Sequence, residues 1–286
     1  MKGDPVDLEK FIIRSEGVFV SPKIDGVRGV NINGVMMSSK LKPLPNLYLQ
    51  ELFKDACYHD LDCEIVVDEP NAPHVLHHTK SHVMSKDKRD YNVRLFAFDT
   101  ITNPKWPYHR RQPQNTKRPR VEIVPQHHVF TMKQLYEIEQ SYLDAGYEGV
   151  MLRDPNSPYK FGYSTNREGY LLKLKRFTDG EFEIIGYEER MHNGNEATTD
   201  GLGRTKRSSA KAGKTGLGDL GALILKNTFG GGPFNVGTGF TDDQRAHFWS
   251  IRDQLIGQQA KVKYFTKGMI DTPLLPSFLD IRSEFE

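Results

Sequence analysis

The chain has 286 residues and a formal net charge of +2, with 39 Lys and Arg set against 37 Asp and Glu. So near-neutral a balance excludes whole-molecule attraction as the basis of nucleic-acid binding, which would have to come from local patches. Hydrophobic residues make up 37% at a mean hydropathy of −0.58, which allows a core but leaves no apolar run near the roughly 20 residues of a membrane span.

Two cysteines, Cys57 and Cys63, cannot build a disulfide framework, and Met1-Lys-Gly-Asp-Pro leads into a charged stretch without a signal-peptide core. A cytoplasmic protein of one large or two ordinary domains is expected.

Residues 11–20 read as a strand running into Ser21-Pro-Lys-Ile-Asp-Gly-Val-Arg-Gly29. Alternate side chains of an extended segment share a face, so Lys23 and Asp25 point together. Gly26 breaks the strand and lets backbone approach a ligand. Arg28 adds a forked donor suited to phosphate or carboxylate. Taken alone, one Lys-x-Asp-Gly is better explained by a surface lysine beside an ion-pair partner, since short motifs recur by chance.

Residues 29–37 read as a returning strand that turns at Asn33-Gly34, with Lys40 and Lys42 beyond it. Asn46 is placed to cap a short helix ending near Phe53. Leu61 to Val67 is a strand with Asp62 and Glu64 on one face, and a buried strand tolerates such a pair only where a cation or donor meets it. His74, His77, His78 and His82 have helical spacing, but no Cys or carboxylate at matching spacing supports a metal, so a solvated helix face is the simpler reading.

Tyr91 to Asp99 is a strand with Phe96 and Phe98 on one face, which suits a core or a base-stacking ring. Residues 102–120 are rich in Pro, Arg and Lys and read as an exposed loop. Val121 to Val124 reads as a short strand, and Thr131 with Gln134 forms a capping box that opens a helix to about Ala145. Gly146 to Arg153 is a strand opened by Glu148. Tyr170 to Phe177 is another, with Lys173 and Lys175 on one face and Leu172 and Leu174 opposite. Like charges side by side on a strand favour an anion between them.

Thr178-Asp-Gly180 reads as a hinge that divides domains 1–179 and 180–286. Beyond it, short strands at 182–187, 222–226, 233–236 and 260–265 with a helix near 241–256 suit a small OB-type barrel. Arg204, Lys206, Arg207, Lys211 and Lys214 lie in a Gly/Ser-rich run without acids. It reads as a flexible basic loop that could order on a phosphate backbone.

Together these segments resemble the ATP-dependent DNA ligases of the covalent nucleotidyltransferase superfamily, particularly compact viral and phage-type enzymes. Lys23-Ile-Asp-Gly-Val-Arg28 is similar to the nucleotidyl-lysine motif, Asp62-Cys-Glu64 to the carboxylate motif, and Phe96-Ala-Phe-Asp99 to the base-stacking motif. Glu148-Gly-Val150 and Leu172-Lys-Leu-Lys175 are similar to the last two motifs of that domain. Two departures stand out. Lys40 follows Ser39 where the family often has arginine, and the C-terminal Leu274 to Arg282 keeps Pro276, Phe278 and Arg282 but lacks a basic residue before the proline.

The resemblance implies an α+β fold, with a nucleotidyltransferase (adenylation) domain of antiparallel sheets and flanking helices followed by a small OB-fold β-barrel. It implies ATP as adenylate donor, Mg²⁺ or Mn²⁺, and sealing of nicked double-stranded DNA by a monomer. Lys23 would be the nucleophile, with its pKa depressed by Lys173, Lys175 and a metal ion. Asp25, Arg28, Glu64, Phe98, Glu148, Lys173 and Lys175 would bind ATP, with Glu64 and Glu148 also holding metal. Lys40, Lys42 and the basic run 204–214 would bind DNA, and Arg282 would be a late-motif cation. RNA ligases and RNA-capping guanylyltransferases share the lysine motif, and a catalytically silent OB-type nucleic-acid-binding protein is the non-enzyme alternative.

Overall fold

The computed structural model describes residues 1–6, 11, 13–72, 74–89, 92–114, 118–199, 205–266 and 269–282. They fall into two compact units, one over Met1–Lys175 and the other beginning at Arg176.

The first unit contains strands β1 (Lys2–Pro5), β2 (Val18–Pro22), β3 (Val27–Ile32), β4 (Val35–Ser38), β5 (Leu61–Val67), β6 (Val93–Thr100), β7 (Val121–Ile123), β8 (His127–Val129), β9 (Gly149–Arg153), β10 (Tyr163–Ser164) and β11 (Leu171–Lys175). Its helices are α1 (Leu47–Leu52), α2 (Val75–Val83), α3 (Tyr108–Arg111) and α4 (Met132–Asp144). One sheet runs β10-β1-β11-β9-β2-β8 and the other β4-β3-β5-β6-β7. Most pairings are antiparallel, but β1 runs parallel to β10 and β11, and β7 parallel to β6, so the sheets are mixed rather than purely antiparallel.

Apolar alternation decides which face each sheet buries. Val20, Val150, Leu152 and Leu174 pack with Leu135 of α4. Met36, Leu61, Ile65 and Leu95 pack with Leu49 and Phe53 around α1. A third cluster joins Val66, Phe96 and Val124 with Val75 of α2. The expected signals hold locally. Asn33 and Gly34 make the turn between β3 and β4, Asn46 caps α1 through Leu49 N–H, and Thr131 with Gln134 closes a full capping box on α4. The four spaced histidines lie at α2, where His78 Nδ1 meets Asp68 Oδ2 at 2.7 Å.

Three expectations change. The strand expected over 11–20 is confined to Val18–Pro22. The run 102–120 is not simply an exposed loop, because α3 buries Tyr108 and Arg111 completely. Thr178-Asp-Gly180 is not a hinge but the start of a long strand, paired with Tyr264, Lys263 and Val262.

That strand, β12 (Thr178–Asn193), begins the second unit. It is followed by β13 (Ala197–Thr199), β14 (Thr205–Arg207), β15 (Lys214–Leu225), β16 (Phe234–Val236), helix α5 (Asp242–Ser250), β17 (Gln259–Phe265) and β18 (Leu274–Arg282). The main sheet runs β16-β15-β12-β17-β18. Its ends are not paired strand to strand, so the barrel is OB-like but not closed, although Phe278 N–H donates to Thr238 O at 2.9 Å just beyond β16. Phe182, Ile184, Leu223, Val262 and Phe278 fill its core. Among the described residues no helix is long and apolar enough to cross a membrane.

Candidate active site

Lys23 sits immediately after β2, where Pro22 ends the pairing with Val150 of β9. Its backbone N–H donates to Gly149 O at 2.9 Å. Its ammonium forms an ion pair with Glu148, and the same carboxylate takes Lys175 on its other oxygen. Gly149 makes this approach possible. Its φ is +147°, and a Cβ there would lie 2.1 Å from Leu174 O.

The lysine opens onto a cavity of about 320 Å³ lined by Lys23, Arg28, Glu64, Phe98, Arg153 and Lys173 among others. β3 and β5 pair with Arg28 opposite Glu64 and Val30 opposite Asp62. Asp62 is wholly buried, and Arg28 meets it with two prongs, Nε to Oδ1 at 2.5 Å and Nη2 to Oδ2. Tyr159 Oη donates to Asp62 Oδ2 at 2.7 Å. The acidic pair on β5 therefore divides its labour: Asp62 anchors Arg28, and Glu64 faces the cavity.

The guanidinium of Arg28 also lies 4.6 Å from the Phe98 ring centre, and that of Arg153 lies 5.8 Å from it. Cations over an aromatic face are attracted by its quadrupole, so this pair fixes the ring that borders the cavity. Arg153 in turn pairs with Asp99, which Arg111 Nε also reaches at 3.1 Å. Asp99 is fully buried, and a lone carboxylate there would be costly. Its need for partners explains why α3 carries Arg111 inward.

The charges of the site follow from these contacts. Burial works against the Lys23 ammonium, but Glu148 outweighs it with help from Glu64 and Asp25, and the amine is raised above its ordinary value. The expectation that Lys173 and Lys175 depress it is not met in the free site, because Lys175 is itself engaged by Glu148. Burial lifts Glu64 to about 7, against the opposing pull of Arg28 and Lys23. Burial, Lys175 and Lys23 lower Lys173. For Glu148 burial pulls upward, yet Lys23 and Lys175 hold its carboxyl below the ordinary range.

Of the residues expected from sequence, the fold gathers Lys23, Arg28, Glu64, Phe98, Glu148, Lys173 and Lys175 in and around one cavity, and Asp25 acts on it through its charge. Lys40 and Lys42 are exposed on a turn closed by Ser38 N–H donating to Lys42 O at 2.7 Å. Lys206 and Arg207 are exposed on β14, which pairs with β13 in a two-stranded ribbon. Lys211 follows in a short helical turn, and Lys214 opens β15 opposite Asn193. The basic run is thus largely built into strands rather than a loose loop, because β12 and β15 extend far enough to pair there. Arg204 lies outside the described residues. Arg282, in the second unit, donates from Nε to Glu181 at 2.7 Å.

Sequence reasoning missed Arg153, Asp99's ion pairs, Tyr159 and Lys2. Arg153 was findable, since Met151 and Arg153 alternate on β9 and both line the cavity. Lys2 carried no sequence signal, because β1 is short and its partners are distant in the chain.

A buried lysine paired with a carboxylate, a clamped aromatic ring and cavity cations, on mixed sheets followed by an OB-like unit, is the arrangement of a covalent nucleotidyltransferase. The chain belongs to the ATP-dependent DNA ligase family: residues 5–175 match its ATP dependent DNA ligase domain, and residues 213–282 match the DNA ligase OB-like domain. The DNA ligase of African swine fever virus, isolate Pig/Kenya/KEN-50/1950, is 26% identical over 155 residues, or 52% of this chain and 35% of that protein. That of strain Badajoz 1971 Vero-adapted is 33% identical over 63 residues, or 21% and 15%. The chain thus spans well under two thirds of the curated relatives it matches. Among solved structures, Chlorella virus DNA ligase-adenylate is 28% identical at a TM-score of 0.52, covering 99% of each chain. A Lig E DNA ligase shares the fold at a TM-score of 0.72 and 21% identity, covering 98% and 97%.

Proposed function

We propose that this protein seals nicks in duplex DNA using ATP, through a lysyl-AMP intermediate. The observation that carries the reading is Lys23 held against Glu148 at the cavity that Phe98 borders. In the first step Lys23 Nζ attacks the α-phosphorus of ATP, an N–P bond forms and pyrophosphate leaves. In the second, the 5′-phosphate of the nick displaces Lys23 and takes AMP. In the third, the 3′-hydroxyl attacks that phosphate, forms the phosphodiester and releases AMP.

The residues divide this work by charge and shape. Phe98 stacks on adenine, a contact worth roughly 1–3 kcal/mol. Lys173 neutralises phosphate charge that shifts during transfer. Arg28, committed to Asp62, positions Phe98 and presents only its remaining donors to the nucleotide. Lys23 must lose its proton before it attacks. Burial already favours the neutral amine, so the step requires Glu148 to give up the ion pair.

The donors near Lys23 fit a divalent cation such as Mg²⁺ or Mn²⁺. Glu148 Oε2 is buried and accepts no well-directed hydrogen bond although the Lys23 ammonium lies beside it. Glu148 and Glu64 would hold the ion, with water and phosphate oxygens completing a hard-cation shell. The bound ion would supply positive charge against the α-phosphate.

The exposed cations of β14, with Lys211, Lys214, Lys40 and Lys42, suit sequence-independent contacts to phosphates. The functional boundary is placed a few residues before the expected 179/180, ahead of β12. It is supported by compact units that part at Lys175 and Arg176.

The test is incubation with α-labelled ATP or GTP, followed by detection of a covalent protein band that survives denaturation and alkali but is cleaved by acid, as a phosphoramidate is, and by sealing assays on nicked DNA, RNA and hybrids. Wild type is expected to label with AMP and seal nicked DNA, and Lys23→Ala to do neither while keeping its thermal transition. GMP labelling would point to a capping enzyme, sealing confined to RNA to an RNA ligase, and no label to a binding protein.

A further inference from the structure

Among the described residues, the cations lining the cavity at Lys23 are Lys2, Lys23, Arg28, Arg153 and Lys173. Lys23 is paired with Glu148, Arg28 with Asp62 and Arg153 with Asp99. Lys173 and Lys2 make no ion pair with any described carboxylate. Two cations without an ion-pair partner in one cavity wall favour an anion there.

Lys2 is held there by its backbone. It belongs to β1, which lies between β10 and β11. Its N–H donates to Gly162 O at 2.7 Å, and Val6 N–H donates to Lys173 O at 3.0 Å at the other end of the strand. Gly3 lets β1 lie close against β11, since a Cβ there would be 2.8 Å from Leu171 O. The Lys2 ammonium sits 5.4 Å from the Tyr163 ring centre, a cation–π contact that places it without neutralising it. Lys2 and Arg28 also line a second, small cavity of about 20 Å³ together with Ser39, Leu41 and Tyr159. Lys2 therefore stands on the wall shared by the lysine-bearing cavity and the end of the β3–β4 hairpin.

We propose that Lys2 is a substrate-binding residue that grips a phosphate group beside Lys173. The proposal rests on the ligase reading above and adds a residue outside the motifs that carry it. The phosphate has two sources, the triphosphate tail of ATP or the 5′-phosphate of the nick.

Two reactions separate them: formation of the AMP adduct from ATP, and ATP-independent sealing of a nicked duplex already carrying 5′-AMP. Wild type must give a Lys23-dependent adduct; if it does not, the ligase reading fails independently of Lys2. With that in hand, Lys2→Ala is expected to lower kcat/KM in at least one reaction by roughly ten- to hundredfold, the scale of one charge-assisted hydrogen bond. Lys2→Arg should restore most of it. Loss confined to adduct formation assigns the triphosphate, loss confined to the pre-adenylated nick assigns the 5′-phosphate, and loss in both assigns both. Unchanged rates in both reactions would overturn the proposal. So would a loss that Lys2→Arg leaves unrepaired and that tracks a lowered thermal transition, since that pattern marks a structural role for β1.

Discussion

Arg28 and Asp62 face each other across β3 and β5 in a two-pronged ion pair whose carboxylate is completely buried. Removing one partner of such a pair leaves a buried charge and costs roughly 3–5 kcal/mol. Arg28→Met should therefore destabilise the first unit by about that amount, read from urea unfolding. Burial pushes the Asp62 carboxyl up, but Arg28 more than reverses this and holds it below its ordinary value. A depressed carboxyl stabilises the fold above the unfolded-state pKa, and that contribution is lost as pH falls below about 4. Arg28→Met should flatten this acid limb.

Glu148 governs the protonation of Lys23. With Glu148→Gln, burial is left as the main influence and the amine falls toward its neutral form. A lysine-selective acylating reagent, used at pH 8 without nucleotide or metal, should label Lys23 faster in Glu148→Gln than in wild type, as mass spectrometry of the peptide would show. Slower labelling would mean that Glu148 does not hold the proton on Lys23. Adduct formation should nevertheless fall, because the proposed metal ligand is gone.

Glu64 provides a signature near neutrality. Its folded pKa of about 7 lies above its ordinary 4.5. The folded state therefore binds more protons than the unfolded state between those values, and stability declines as pH rises through that window. Glu64→Gln should remove part of this decline, so the variant gains thermal stability over wild type at pH 8 and not at pH 4. Parallel pH profiles would reject the assignment.

The β13–β14 ribbon offers an electrostatic test. Lys206→Glu with Arg207→Glu should weaken binding to nicked DNA. The slope of log K against log salt should drop by about 0.9 for each lost phosphate contact. AMP adduct formation without DNA should stay at the wild-type level.

Much of the site was legible because it follows period-two strands. Lys173 and Lys175 oppose Leu172 and Leu174, which enter the core under α4, and that alternation alone oriented the lysines. The caps at Asn46 and Thr131 were equally local. What stayed hidden was long-range: Arg111 turns inward for Asp99, and Arg153 bridges Asp99 to Phe98, neither of which spacing reveals. Charge assignments failed for the same reason. Lys175 looked like a free phosphate ligand until its pairing with Glu148 was known. In the second unit, the extension of β12 and β15 into the basic run depends on their mutual pairing across 193–214, and Gly and Ser in that run disguise it.

The close packing at Gly149 constrains how the site can move. With Leu174 O against its α-carbon and its own carbonyl accepting the Lys23 N–H, the backbones at Lys23, Gly149 and Leu174 are held in one tight seam. Sliding any one of them would break that seam. An exchange of partners by Glu148 is therefore expected as a rotation of its side chain over a stationary backbone.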